Sequence, residues 1–350
     1  MKSFFTIIIF LLFSTQIVNA QVSSEKLIRQ GVSLHDKGRY KDAIACYEEA
    51  LKINPTSMSA VYEMSLSYLQ LKDYTNALKY STKVINANFQ PLLVDAYTVK
   101  GTALADMDKT DDAIKLFSEA LVRCGDEYLL HFNLGLCYFN TKNNQMAVQH
   151  LRKAIEIDAT HSSAFLLYAY ALSDADRWIQ SFYSFHFFLL LEPNTQRSKD
   201  AFAEMYDIIA TKLPANAPQL TPEDGINRQK LYESLVRIQP QGNDAISQYK
   251  YFEEASKTIF FALSQMQNDT QSGLLWDFFV PTYEEILGSG YFDTYCRYVS
   301  VAYFNESLEW WNNNKTQVDS FIEWFEHGQG GIVDEEAEFG DDSDLDDGAL

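Results

Sequence analysis

Six histidines, four cysteines and a run of C-terminal carboxylates are the residues of this 350-residue chain best suited to chemistry. Their spacing gathers none of them into a site. His35, His131, His150, His161, His186 and His327 are dispersed, and no HExxH pair exists to hold zinc on one helix face. There is no GxSxG elbow for a nucleophilic serine and no phosphate-cradling glycine loop. Gly288-Ser289-Gly290 lies between expected helices, does not follow a strand, and lacks the third glycine of a dinucleotide loop. Asp342, Asp344 and Asp346 alternate like the start of a calcium loop, but the glycine comes one place late at Gly348 and no closing glutamate follows. Cys46, Cys124, Cys137 and Cys296 form no CxxC pair. Cys124 and Cys137 are nearest in sequence, but one falls at a helix end and the other midway along the next helix, beyond the ~7 Å a disulfide spans between α-carbons. Free, mostly buried thiols are expected, with no catalytic residue, no metal and no cofactor. The chain reads as a protein that is not an enzyme.

The residues that do recur in register are small. Ala43, Ala77, Ala113, Ala147 and Ser181 follow one another at 34, 36, 34 and 34 residues. A fixed period of that length is the signature of stacked helix pairs, each unable to bury its apolar face alone. The first unit carries the punctuation most clearly: Leu27, Gly31, Leu34, then Gly38-Arg39-Tyr40-Lys41-Asp42-Ala43, Tyr47, Ala50 and Pro55. Small residues are needed where two antiparallel helices approach most closely, so Gly31 is expected to meet the neighbourhood of Ala43 and Ala50. Proline then stops the second helix.

This pattern resembles the tetratricopeptide repeat, with five units starting at 24, 58, 94, 128 and 162. Later units repeat the phase through Ser65, Tyr68, Ala77 and Val84; Gly101, Leu104, Ala113, Phe117 and Ala120; Leu134, Gly135, Tyr138, Ala147, Leu151 and Ala154; and Ala169, Leu172, Ser181, Phe185 and Pro193. Departures are two extra residues around Asn88 to Leu92, missing prolines in the middle units, and Phe188 where a small residue is usual. The resemblance implies an all-α fold: a right-handed superhelical solenoid over 24–197, followed by a packed C-terminal helical domain.

The fifth unit also marks the end of the array. Its second helix, from Ser181 to Leu191, is apolar nearly all round and has to be covered on more than one side. Residues 198–213 are the expected capping helix. Pro214, Pro218 and Pro222 mark a linker, and helices are expected near 222–238, 244–267, 274–287, 291–311 and 316–326. Four of the five tryptophans, Trp276, Trp310, Trp311 and Trp324, lie here. They read first as core for a domain spanning 214–327, and second as a platform for a glycan or small ligand. Gly290-Tyr291-Phe292-Asp293-Thr294 faintly echoes the turn beginning at Gly38. Residues 328–350 carry no basic side chain and are expected to form a disordered acidic tail.

At the other end, Met1-Lys2-Ser3 precedes an apolar stretch from Phe4 to Phe13, and Val18-Asn19-Ala20 supplies a small-x-small cleavage site. The stretch is well short of the roughly 20 residues a bilayer needs, so 1–20 reads as a cleavable signal peptide with no membrane span after cleavage. Export to a bacterial periplasm or the extracellular space is expected. A formal net charge of −20 disfavours nucleic acid and anionic lipid as partners and favours basic or neutral ones.

In the family the chain resembles, the first helix of each unit lines a concave face, mainly at its second, fifth, ninth, twelfth and thirteenth places. Here those places hold no lysine or arginine. The resemblance therefore implies not a clamp for acidic peptide tails but an apolar groove with an acidic rim, suited to a basic or aromatic peptide or protein. The candidate docking residues are Tyr62, Leu66, Asp106, Phe132, Phe139, Asn140, Tyr170 and Asp174, with the aromatic rings as anchors. The expected function is that of an exported scaffold or adaptor that holds another polypeptide.

Overall fold

The computed structural model describes residues 23–213, 225–238 and 247–328. The expected signal peptide, linker and acidic tail lie outside or almost wholly outside these residues. Among the described residues every regular element is helical, and none of these helices is long and apolar enough to cross a membrane. Helix α1 spans 23–35. It is followed by α2 (Tyr40–Ile53), α3 (Met58–Gln70), α4 (Tyr74–Ala87), α5 (Leu93–Ala105), α6 (Thr110–Cys124), α7 (Tyr128–Asn140), α8 (Asn144–Ile157), α9 (Ser162–Asp174) and α10 (Trp178–Leu191). These ten are the five helix pairs read from the sequence. The two extra residues near Asn88 are absorbed by a short 3-10 turn, Gln90–Leu92, which leads into α5.

One local device closes every pair. The residue fifteen places into each unit adopts a left-handed backbone: Gly38 at φ 68°, Lys72 at 58°, Asp108 at 59°, Lys142 at 60° and Asp176 at 56°. After it, the amides of Arg39, Asp73, Lys109, Asn143 and Arg177 donate to the carbonyls of Leu34, Tyr68, Leu104, Tyr138 and Leu172, each at 2.9 Å. These are the back-bonds of a Schellman turn, which satisfy carbonyls otherwise orphaned at a helix end. Side-chain caps begin two of the following helices, with Asp73 accepting from the Asn76 amide at 3.2 Å and Asn143 from the Met146 amide at 3.3 Å.

The chain divides into two compact units, one up to Cys137 and one from Tyr138 onward. In the first, Ala43, Ala77 and Ala113 are fully buried. The close approach predicted at Gly31 is real, but its partner is a ring. A β-carbon on Gly31 would fall inside the Tyr47 side chain, and one on Gly101 inside that of Phe117. The Ser65 unit has Ser81 at the place of those rings, and both serines are fully buried. In these three units volume is thus traded between the eighth and twenty-fourth places, which keeps each of these helix pairs close-packed.

In the second unit, α10 is buried at every residue from Ile179 to Leu190. The remaining helices of this unit follow it, and several of them pack directly on it. The helices that follow are α11 (Gln196–Asp207, running into a π-turn at Ile208–Lys212), α12 (Arg228–Ile238), α13 (Gln248–Ser264), α14 (Val280–Gly288, entered through a π-turn at Leu275–Phe279), α15 (Phe292–Val299), α16 (Asn305–Asn313) and α17 (Lys315–Gly328). Helix α11 packs along α10. Tyr283 donates to the Tyr183 carbonyl and Tyr298 to the Leu190 carbonyl, each at 3.3 Å, so α14 and α15 also close over α10.

The single helix expected over 291–311 is two helices. Phe304 is extended at φ −96° and ψ 121° and is 9 % exposed among the rings of Phe202, Tyr206, Tyr249 and Phe252. Burying that ring breaks the helix, and Ser300 satisfies the frayed end by donating to the Cys296 carbonyl at 2.6 Å. Gly290, in the faint echo of the first turn, is also left-handed at φ 82°. All four cysteines are free; Cys137 and Cys296 are buried, and Cys46 and Cys124 are half-buried.

Candidate functional site

The candidate docking residues fall on first helices in both units, except Asp106, which stands just after one. In the unit up to Cys137, Tyr62 and Leu66 of α3 are half-buried and pack against the core formed by Ala77, Val99 and Ala103. Asp106, just past α5, is exposed. Phe132 of α7 is half-buried, its ring stacked on Tyr128 at 5.8 Å. Tyr62 and Phe132 therefore keep part of their surface in water while packing holds the rest.

A carboxylate missed in the sequence lies beside them. Glu63 is half-buried, and burial first, then the charges of Asp36 and Asp95, push its pKa up to about 7. Asp95 is itself raised by burial. Burial chiefly, and then Asp95 and Glu63, raise the Tyr62 hydroxyl well above the usual phenol range. Asp36, Asp95 and Glu63 thus raise the local negative potential beside the Tyr62 phenol, Asp36 from an exposed position. Helical spacing could have signalled Glu63, which stands four residues after Ser59 and three before Leu66, on the same stripe.

In the unit from Tyr138 onward, Phe139 of α7 is half-buried with the Lys142 ammonium 5.1 Å from its ring centre. Asn140 and Asp174 are exposed, and Asp174 pairs with Lys142 at 3.3 Å. Tyr170 of α9 meets the Phe185 ring edge-on at 5.2 Å. Burial, and then the carboxylates of Glu204 and Asp200 on α11, push the Tyr170 hydroxyl up to about 12. The aromatic-plus-carboxylate combination of the first unit is therefore repeated in the second, with the acids supplied by a helix outside the repeats.

The other chemistry-bearing residues have structural surroundings. His186 is fully buried, between the hydroxyls of Tyr295 at Nδ1 and Ser256 at Nε2, and burial holds its pKa well below the ordinary imidazole value. His35 is joined to the Ser67 hydroxyl at 2.8 Å and His131 to Asp126 at 3.3 Å. Among the described residues, no three His, Cys, Asp or Glu side chains come together in a way that could hold a metal ion. Three of the four tryptophans of the second half pack against neighbouring rings or are buried. Trp276 is 1 % exposed, Trp311 stacks on Tyr298 at 5.0 Å, and Trp324 lies 5.4 Å from Tyr291.

Comparison with known proteins gives matches to tetratricopeptide-repeat family profiles at residues 24–57 and 128–161, and at 59–91. These cover the first, second and fourth helix pairs; the third and fifth share the same left-handed closing turn. BBS4, a BBSome complex member from Bos taurus, is 24 % identical over 132 residues, covering 36 % of this chain and 25 % of that protein. The anaphase-promoting complex subunit CDC16 of Saccharomyces cerevisiae is 27 % identical over 128 residues, covering 35 % of this chain and 15 % of that protein. The matched region thus spans a quarter or less of these relatives' own length. Among solved structures, Pseudomonas aeruginosa pilF has a TM-score of 0.49 at 16 % identity, covering 67 % of this chain and 98 % of that one. TTC0263, a tetratricopeptide-repeat protein of Thermus thermophilus, has a TM-score of 0.45 at 20 % identity, covering 52 % and 97 %.

Proposed function

We propose that this chain, which belongs to the tetratricopeptide-repeat family, is an exported, non-catalytic scaffold whose first-helix faces hold a basic, aromatic-bearing segment of another polypeptide. The observation that carries the reading is the acidic character of the first-helix faces around Glu63. Glu63 is half-buried beside Tyr62 on α3, and Asp36 and Asp95 stand near enough to raise its pKa. A lysine or arginine side chain from a partner would neutralise the cluster while its aliphatic stem lay along Tyr62 and Leu66. The names of BBS4 and CDC16 describe members of multi-protein complexes, and such a role here agrees with that kind of use. The leader-like residues 1–20 support export.

The proposal has a proton signature. Ionisation of Glu63 favours cation binding, so a partner must expel the proton that Glu63 holds below about pH 7. Affinity for a basic peptide is therefore expected to rise as pH increases through 7. Glu63→Gln should flatten that rise. The test is peptide display on the full chain followed by titration calorimetry between pH 6 and 8. Enrichment of Arg or Lys next to Phe, Tyr or Trp is expected, with Tyr62→Ala/Phe132→Ala weakening the selected peptide by about tenfold or more. Selection of acidic peptides, or affinities unchanged in both variants, overturns the reading.

A further inference from the structure

A cavity of about 260 Å³ opens in the second unit. It lies among the second helix of the fourth pair, α8, the start of α10, and the segment from Ser272 to Trp276 that leads into α14. Its lining includes Gln180, which is 5 % exposed and whose Oε1 has no hydrogen-bond partner among the described residues. A buried amide acceptor left unmatched costs about 1–3 kcal/mol, so its persistence on an otherwise apolar stretch of α10 asks for a donor from outside. Two guanidinium side chains, Arg152 from α8 and Arg177 at the start of α10, line the same space. Arg152 is paired with the carboxylate of Glu156 at a loose 3.7 Å on the protein surface. Asp277, the acid next to the lining segment, is turned to the Gly273 amide at 2.6 Å. The lining also includes the rings of Tyr168 and Trp276, 4 % and 1 % exposed, and the polar side chains of Gln145, Gln149 and Ser272.

We infer that this cavity binds a small carboxylate that carries an N–H or O–H donor next to its acid group. The carboxylate meets the two guanidiniums, which are suited to planar anions, and the neighbouring donor meets Gln180 Oε1. The volume lies just under the lower end of about 300 Å³ for small-molecule pockets, which limits the occupant to something near the size of one amino-acid residue. In a chain of net charge −20, two arginines facing one cavity offer a planar anion donors that the acidic surface does not. A free acylated amino acid and the last residue of a peptide both present this chemistry.

The experiment titrates the full chain with N-acetylalanine, its uncharged amide, propionate and tetra-alanine, read by tryptophan fluorescence and calorimetry. N-acetylalanine is expected to bind, and the amide and propionate to bind about tenfold more weakly, since each lacks one of the two recognised groups. Tetra-alanine binding as well as N-acetylalanine identifies a peptide end as the source; tetra-alanine failing while N-acetylalanine binds identifies a free metabolite. Gln180→Met should remove the advantage of N-acetylalanine over propionate. Arg152→Gln, at a side chain 47 % exposed whose loss leaves the core intact, should weaken N-acetylalanine about tenfold even if the Gln180 variant fails to fold. Absence of carboxylate binding to the wild type, or unchanged affinity in Arg152→Gln, overturns the inference. Tyr62→Ala/Phe132→Ala is expected to leave N-acetylalanine binding unaltered, which separates this site from peptide docking.

Discussion

Helices α4 and α10 hold the same place in their repeats, each the second helix of its pair, and are built for opposite surroundings. In α4 the buried residues are Ala77, Ser81, Val84 and Ile85, while Thr75, Lys79 and Lys83 face water. In α10 nothing between Ile179 and Leu190 faces water, and Tyr183 and Phe187 occupy the positions that Lys79 and Lys83 hold in α4. A shared backbone phase thus fixes where a helix lies, while the composition of its outer face decides whether the array stops there. By making that face aromatic, the fifth repeat becomes the nucleus about which a second set of helices condenses.

The sharpest way to break this contrast is truncation at one repeat position on the two outer faces. Phe187→Ala, which removes a fully buried ring packed on Phe165 and Phe278, should cost about 3–5 kcal/mol in chemical denaturation. Lys83→Ala on α4 should stay within about 0.5 kcal/mol of wild type. Equal losses would mean that α10 is not the centre of its unit. Next in size is Gly101→Ala, whose added methyl meets the Phe117 ring; an overpacking loss of about 1–3 kcal/mol is expected, and Gly101→Ala/Phe117→Leu should recover part of it.

The two units should also respond oppositely to acid. His186 stays neutral when folded because burial depresses its pKa, so the unfolded chain binds an extra proton below about pH 6.5 and stability falls there by up to about 1.4 kcal/mol per pH unit. Glu63 has the reverse sign: its folded pKa, about 7, is above the ordinary carboxyl value of 4.5, so folding gains stability as pH falls through that window. Unfolding of wild type, His186→Phe and Glu63→Gln between pH 5 and 8 separates the two, His186→Phe losing the acid-side decline and Glu63→Gln the acid-side gain. The smallest expected effect is at the closing turns. Lys72→Gly or Asp176→Gly relieves a left-handed side chain and should add up to about 1 kcal/mol, whereas Gly38→Ala subtracts a similar amount.

The helix pairs were legible in the chain because their determinants are local and recurrent: a small residue, a turn residue and a ring at fixed offsets. The second half was less so because its determinants are distant. Tyr295 reaches His186 across 109 residues, and Phe304 leaves its helix to fill a pocket made by Phe202, Tyr249 and Phe252. Neither contact has a spacing that could be read. The rings of the candidate docking faces followed from the repeat phase. Their acidic neighbours Glu63, Asp200 and Glu204 did not, since two of them come from α11 and the third stands outside the usual lining places.

The trade of volume between Gly31 and Tyr47, and between Gly101 and Phe117, makes the first and third helix pairs matched locks. A duplicated or transplanted repeat would carry its own key, but exchanging single helices between neighbours would set a serine-bearing helix against a ring cut for glycine. The units are alike in outline yet not interchangeable by halves. Their order along the chain is therefore protected against recombination at any point except the loops that join one pair to the next.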